Sequence, residues 1–208
     1  MSKEKIKKNL TIAIAFILVA CFIIIMLKVL NGSINSFDNS VYKFISANII
    51  SKSLTPVIKL ITHLGSMVFL IVLSVILVLT MKNNKIRINI AYNLVIISII
   101  NYVIKQIIQR PRPIGINLIN EGGYSFPSGH STTSMAFYGL LIYLIYKYVN
   151  NKIFKTILMV LLSLIILMIG ISRIYLGVHY ASDVLAGFVL GLLFLLVFIP
   201  TAFANKKI

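Results

Sequence analysis

The 208-residue chain has one cysteine, three histidines and four acidic residues, and each scarcity narrows what it can be. A lone cysteine, Cys21, rules out a disulfide framework. Its place inside the first apolar run marks it as a buried packing residue rather than a reactive thiol. Four acidic side chains are too few for a two-metal centre, which draws on several carboxylate ligands. Charged residues are only 12% of the chain, about half the share of a soluble domain. What is abundant is apolar: 59% of the residues, which points to a bilayer rather than water. The net charge of +16 suggests nucleic acid at first sight. The lysines and arginines cluster in short segments between apolar runs, however, and that is the pattern of membrane topology. The expected electrostatic partners are therefore anionic lipid headgroups, and no nucleic acid is expected. Nothing in the sequence sets an oligomeric state.

Apolar segments of spanning length, about 20 residues, occur at 9–30, 56–80, 87–108, 130–148, 153–172 and 182–204. They predict an all-α, polytopic bundle of about six transmembrane helices forming a single integral-membrane domain over 1–208. The run from Leu10 to Leu27 is too long for the core of a cleaved signal peptide, so it is expected to remain as the first span. The third segment carries Asn89, Asn93, Asn101, Lys105 and Gln106, which must face the bundle because lipid offers them no partner. After the first span, Ile34, Phe37, Val41, Phe44, Ile45 and Ile49 recur at helical spacing. An amphipathic helix on the membrane surface is expected there, with Ser36 or Asp38 capping its start. Gly187 and Gly191 form a small-xxx-small face suited to helix packing.

Twelve of the twenty basic residues fall at the N-terminus, in the segments around 82–87 and 147–155, and at the C-terminus. The positive-inside rule then puts both termini in the cytoplasm. Three polar segments meet at the opposite, extracytoplasmic face. They are Lys105 to Pro113, Pro127-Ser128-Gly129-His130, and Ser172 to Asp183. Each has an ordinary reading by itself. Lys105 can snorkel, Arg110 and Arg112 can sit on lipid phosphates, and Ser128 can cap the fourth span. His63, with no such cluster around it, reads as structural. His179 and Asp183 stand four apart, so on a helix they would share a face. The loop at 109–129 is long for a connector and holds three of the five prolines, as functional loops often do.

Taken together, Lys105-x6-Arg112-Pro113, Pro127-Ser128-Gly129-His130 and Ser172-Arg173-x5-His179-x3-Asp183 resemble the type 2 phosphatidic acid phosphatase family. The signature segments (105–113, 127–130, 172–183) match without a substitution and in order. The resemblance implies a membrane lipid phosphatase working through a phosphohistidine. His179 would be the nucleophile, Asp183 would orient it, and His130 would serve as general acid and then base. Lys105, Arg112 and Arg173 would bind the phosphate oxygens, with Ser128, Gly129 and the start of the fourth span contributing donors. No metal and no cofactor is expected. A zinc ion held by His130, His179 and Asp183 would be repelled by three neighbouring cations.

Substrates for such a site carry a phosphate or diphosphate head on an apolar tail, as undecaprenyl diphosphate, phosphatidic acid and phosphatidylglycerophosphate do. A lipid phosphotransferase would use the same residues with an alcohol in place of water. A non-enzymatic phospholipid-binding or transport protein is the other class, but the broken half-helices and internal repeats that mark transporters are not evident.

Overall fold

The computed structural model describes residues 3–203 apart from Ile116. Among the described residues the chain forms eight helices and no strand. They are α1 (Lys3–Leu30), α2 (Asn35–Asn48), α3 (Leu54–His63), α4 (Met67–Thr80), α5 (Asn84–Ile108), α6 (Gly129–Tyr148), α7 (Lys152–Tyr175) and α8 (Ala181–Ala202). Lys206 and Lys207, which entered the charge asymmetry, and Ala204, at the end of the last expected span, lie outside the described residues.

Four helices are long and apolar enough to cross a membrane, or five if α3 and α4 form one bent span. The protein is thus an all-α, multi-pass membrane bundle with fewer such helices than the six expected. The difference is α6. It has 20 residues, but it opens with Gly, His, Ser, Thr, Thr and Ser. Those hydroxyls are buried rather than lipid-facing: Ser131, Thr132, Thr133 and Ser134 are at most 3% exposed. Thr132 and Thr133 donate to the carbonyls one turn back, and Asn101 of α5 donates to Thr132 at 3.1 Å. The expectation that α5 turns its amides inward holds for Asn93 and Asn101, both buried.

α6 is the hub, packed against α8, α7 and α5, while α1 lies outside on α8. Glycines let α8 approach α6. A Cβ at Gly187 would come within 2.9 Å of the Ser128 carbonyl oxygen, and one at Gly191 within 2.7 Å of Met135 Cβ. The packing role expected for this pair is the observed one. Cys21, expected to be buried, is exposed because α1 is peripheral and its apolar stretch is not buried in the bundle.

The expected continuous span over 56–80 is broken between α3 and α4 by a 50° bend. Gly65 lies in the break, where Ile169 and His130 pack so closely that a Cβ would sit 2.5 Å and 3.3 Å from them and only glycine fits. Ser66 restarts the chain as N-cap of α4, accepting from the Phe69 amide. The freed Leu64 carbonyl accepts from the Tyr138 hydroxyl at 2.8 Å. α2 matches the amphipathic helix expected over this stretch and packs on α7 and α8. Neither Ser36 nor Asp38 caps it. Its N-cap position is Ile34 with no side-chain bond, and Asp38 is buried one turn inside.

Candidate active site

The α7–α8 connection gathers three of the expected residues. Gly177 adopts a φ of +70°, a left-handed conformation that glycine accepts without steric cost. The turn there is closed by the Val178 and His179 amides donating to the Arg173 carbonyl. α8 starts at Ala181, so His179 lies before the helix and not on it. The expectation of a shared helical face is corrected in this respect. The two side chains meet because Asp183 reaches back, accepting from the Tyr180 amide at 2.9 Å as a residue three into a helix can.

His179 is 3% exposed. Its Nε2 lies 3.1 Å from Arg112 Nη1. A guanidinium can only donate, so Nε2 accepts and the imidazole proton belongs on Nδ1. That atom faces Asp183 Oδ2 at 3.4 Å, a distance at which the attraction is mainly coulombic. Burial lowers the His179 pKa to about 4, with Arg112 and Arg173 pushing the same way and Asp183 opposing them. The ring is therefore neutral at neutral pH.

The cations come from three elements. Arg173, at the end of α7 and 1% exposed, donates to Thr62 Oγ1 at 2.8 Å and forms an ion pair with Glu121. Its Nε is buried without a hydrogen-bond partner. Lys105, in the last turn of α5, donates to the carbonyls of Tyr124 and Ser125. Arg112 donates to the carbonyls of Gly122, Gly123 and Val178. Burial lowers its pKa, Arg173 adds to this, and Glu121 and Asp183 oppose it. For Glu121 burial works upward, but Arg173 outweighs it and the carboxyl sits below its usual range.

His130, in the first turn of α6, lines a cavity of about 210 Å³ with Gly65, Asn101, Glu121, Gly129 and Thr133. Arg173, Glu121, His179 and Arg112 are all near enough for His130 to feel their charge. The amides of Gly129 and His130 head the helix and have no intrahelical acceptor. Ser128 is differently placed. Its hydroxyl caps α6, accepting from Ser131, and its amide donates to the Asp183 carbonyl at 3.0 Å. Its amide and the acceptor side of its hydroxyl serve the fold. His63 is exposed at the end of α3, outside the cluster.

Several residues here were not picked out from the sequence. Thr62, Glu121 and Ser125 touch Arg173 or Asp183. Arg110, read as a lipid-phosphate contact, is 8% exposed and bonds Asp183 Oδ1 at 2.6 Å and Asp38 Oδ2 at 2.8 Å. Burial works against its charge, but the two carboxylates more than offset that and raise its pKa. The scarcity of acids was the one available signal. With four in the chain, any carboxylate in an apolar protein has to be paired.

A family model described as the PAP2 superfamily matches residues 87–207. Phosphatidylglycerophosphatase B of Bacillus subtilis (strain 168) is 34% identical over 191 residues, covering 89% of this chain and 92% of that one. Undecaprenyl-diphosphatase of Sulfolobus acidocaldarius is 28% identical, covering 93% and 94%. Among solved structures, the transmembrane PAP2 type phosphatidylglycerolphosphate phosphatase from Bacillus subtilis superposes with a TM-score of 0.82 at 32% identity, over 93% of this chain and 97% of that one.

Proposed function

The chain belongs to the PAP2 superfamily and is a multi-pass membrane phosphatase, and on that premise we propose that it removes the terminal phosphate from a membrane lipid, phosphatidylglycerophosphate first among the candidates, through a phosphohistidine. The observation that carries this reading is His179, a buried neutral imidazole with Nδ1 toward Asp183 and its Nε2 lone pair held by Arg112. Phosphatidylglycerophosphate is favoured over a prenyl diphosphate because the Bacillus phosphatase is 34% identical and its solved counterpart superposes with a TM-score of 0.82, whereas the undecaprenyl-diphosphatase, aligned over as much of the chain, is 28% identical.

In the proposed reaction the lipid tail stays in the bilayer and the phosphate enters between Lys105, Arg112 and Arg173. The unpartnered Nε of Arg173 suits a nonbridging oxygen, as do the amides of Gly129 and His130 at the positive end of α6. Arg112 leaves the His179 lone pair for a second oxygen, and Nε2 attacks phosphorus in line with the ester oxygen. The P–O bond breaks as His130, protonated in the field of the bound phosphate, gives its proton to the leaving alkoxide. Water then attacks the phosphohistidine, His130 takes its proton, and inorganic phosphate departs. Asp183 balances the positive charge that forms on His179 in both steps.

The chemistry calls for no metal, so phosphate release in detergent is expected to be unchanged in excess EDTA. A panel of phosphatidylglycerophosphate, phosphatidic acid and undecaprenyl diphosphate tests the substrate. The first should give the highest kcat/KM; a clear preference for the diphosphate, or EDTA inactivation reversed by zinc or magnesium, goes against the reading.

We further place both termini in the cytoplasm and the site at the outer face, on the strength of the basic-residue asymmetry. A cysteine at exposed Asn120 should then react with an impermeant thiol reagent on intact cells, while one at exposed Asn84 should not, both in a Cys21→Ala background. The opposite labelling pattern would put the site on the cytoplasmic side.

A further inference from the structure

Arg110 is held between two carboxylates that come from opposite ends of the chain. Asp38 of α2 and Asp183 of α8 are 2% and 0% exposed, and one guanidinium bridges them. The link is doubled through Ser182. Its amide donates to Asp38 Oδ1 at 2.8 Å, its hydroxyl donates to Asp38 Oδ2 at 2.7 Å, and Arg110 Nη1 also lies 2.8 Å from that hydroxyl. Arg110 further stacks on the Tyr180 ring, 4.0 Å from its centroid. Each buried group is fully engaged, which is what keeping three charges out of water requires.

The placement has an electrostatic consequence. Arg110 sits on Oδ1 of the carboxylate whose Oδ2 faces His179. Unshared, its charge would neutralise Asp183 and weaken the pull on an imidazolium. Asp38 takes half of that guanidinium, so the triad Asp38–Arg110–Asp183 keeps a net negative charge beside His179. Resting on the phosphohistidine reading above, we infer that Asp38 and Arg110 are positioning residues for catalysis: they fix the Asp183 rotamer and set how strongly it stabilises the charge on His179. The other groups facing His179 are Arg112 from the loop, Arg173 from α7 and His130 from α6, and all three oppose that charge. Asp183 and its partners are the counterweight.

The signs of the expected effects differ, which separates this role from a merely structural one. Asp38→Asn keeps the shape but leaves Arg110 wholly on Asp183. The titration midpoint of His179, read by NMR of ¹⁵N-histidine-labelled protein in detergent, should fall by about half a unit or more. Turnover should drop roughly tenfold with KM within about twofold. Asp38→Asn/Arg110→Gln removes both charges and should move the midpoint back up past that of Asp38→Asn, as coupled neighbours do in a double-mutant cycle. Asp38→Glu should keep the midpoint near wild type.

A folded Asp38→Asn protein with wild-type kcat and an unmoved His179 midpoint overturns the inference, as does a loss carried by KM alone. If Asp38→Asn does not fold, Arg110→Lys decides. It keeps the charge but lacks the planar fork that puts separate nitrogens on Asp38 and Asp183, so a tenfold lower kcat at unchanged KM supports the role and wild-type kcat overturns it. Trapping of phosphoenzyme in the wild-type protein is a separate control. Its absence sinks the phosphohistidine reading, while the shift of the His179 midpoint still reports on Asp38.

Discussion

His179→Ala is expected to abolish turnover, with a loss of roughly 10⁴-fold or more, because the side chain that bonds to phosphorus is gone. The cavity beside His130 and the cations around it remain, so lipid phosphate should still bind and protect the protein against heating. With phosphate-labelled substrate, the wild-type enzyme should give a covalent adduct that survives alkali better than acid, and the variant none. The pH profile carries a second check. The His179 pKa is lowered to about 4 by burial and by Arg112 and Arg173, so the neutral, nucleophilic form prevails above that value and is lost only as the pH falls through it. Any decline in kcat/KM between about pH 5 and 7 therefore belongs to another group. Label retained on the His179→Ala protein would move the nucleophile elsewhere.

His130→Ala should be the second largest effect, and its signature is selective. Loss of general acid–base help costs about 10²–10⁴-fold. The lipid alkoxide is a poor leaving group and needs the proton, whereas nitrophenolate departs without one. Release from phosphatidylglycerophosphate should suffer by the full factor, and release from nitrophenyl phosphate by much less in the first step. A burst of nitrophenol followed by a slow phase is expected, since water attack on the phosphohistidine still lacks its base. Equal slowing of both substrates, with no burst, would falsify the assignment of His130 as the acid. Asp183 completes the comparison: it touches Arg110, Ser125 and the Tyr180 amide as well as facing His179, so its replacement mixes catalytic and structural loss.

Much of the site was legible because polar residues in an apolar chain have few uses. Lys105, Arg112, His130, Arg173, His179 and Asp183 stood out against runs of Ile and Leu, and they do converge between α5, α6, α7 and α8. Ser128 has a structural part as well. A serine before a helix caps it whether or not a phosphate binds there, and here its hydroxyl accepts from Ser131 while its amide donates to the Asp183 carbonyl. His179 and Asp183 show a limit. A spacing of four implies contact only if the helix includes both, and Gly177 turns the chain so that α8 starts two residues after His179.

By itself the sequence determined the membrane class, the helical bundle and the chemistry-bearing groups, since hydropathy and helical period are local properties of successive residues. Tertiary structure alone decided the rest. The close packing at Gly65, in the break between α3 and α4, involves Ile169 and His130, which are far away in the chain. The inward-facing hydroxyls of α6 leave it short of the apolarity of its neighbours, and they bond back to its own first turn and, at Thr132, to Asn101 of α5. Asp38 and Arg110 lie 72 residues apart. Each by itself is one charge near a helix end, compatible with a cap or a lipid contact. Which of these a buried charge becomes is settled by the partner that packing brings to it, because only pairing offsets the cost of leaving water.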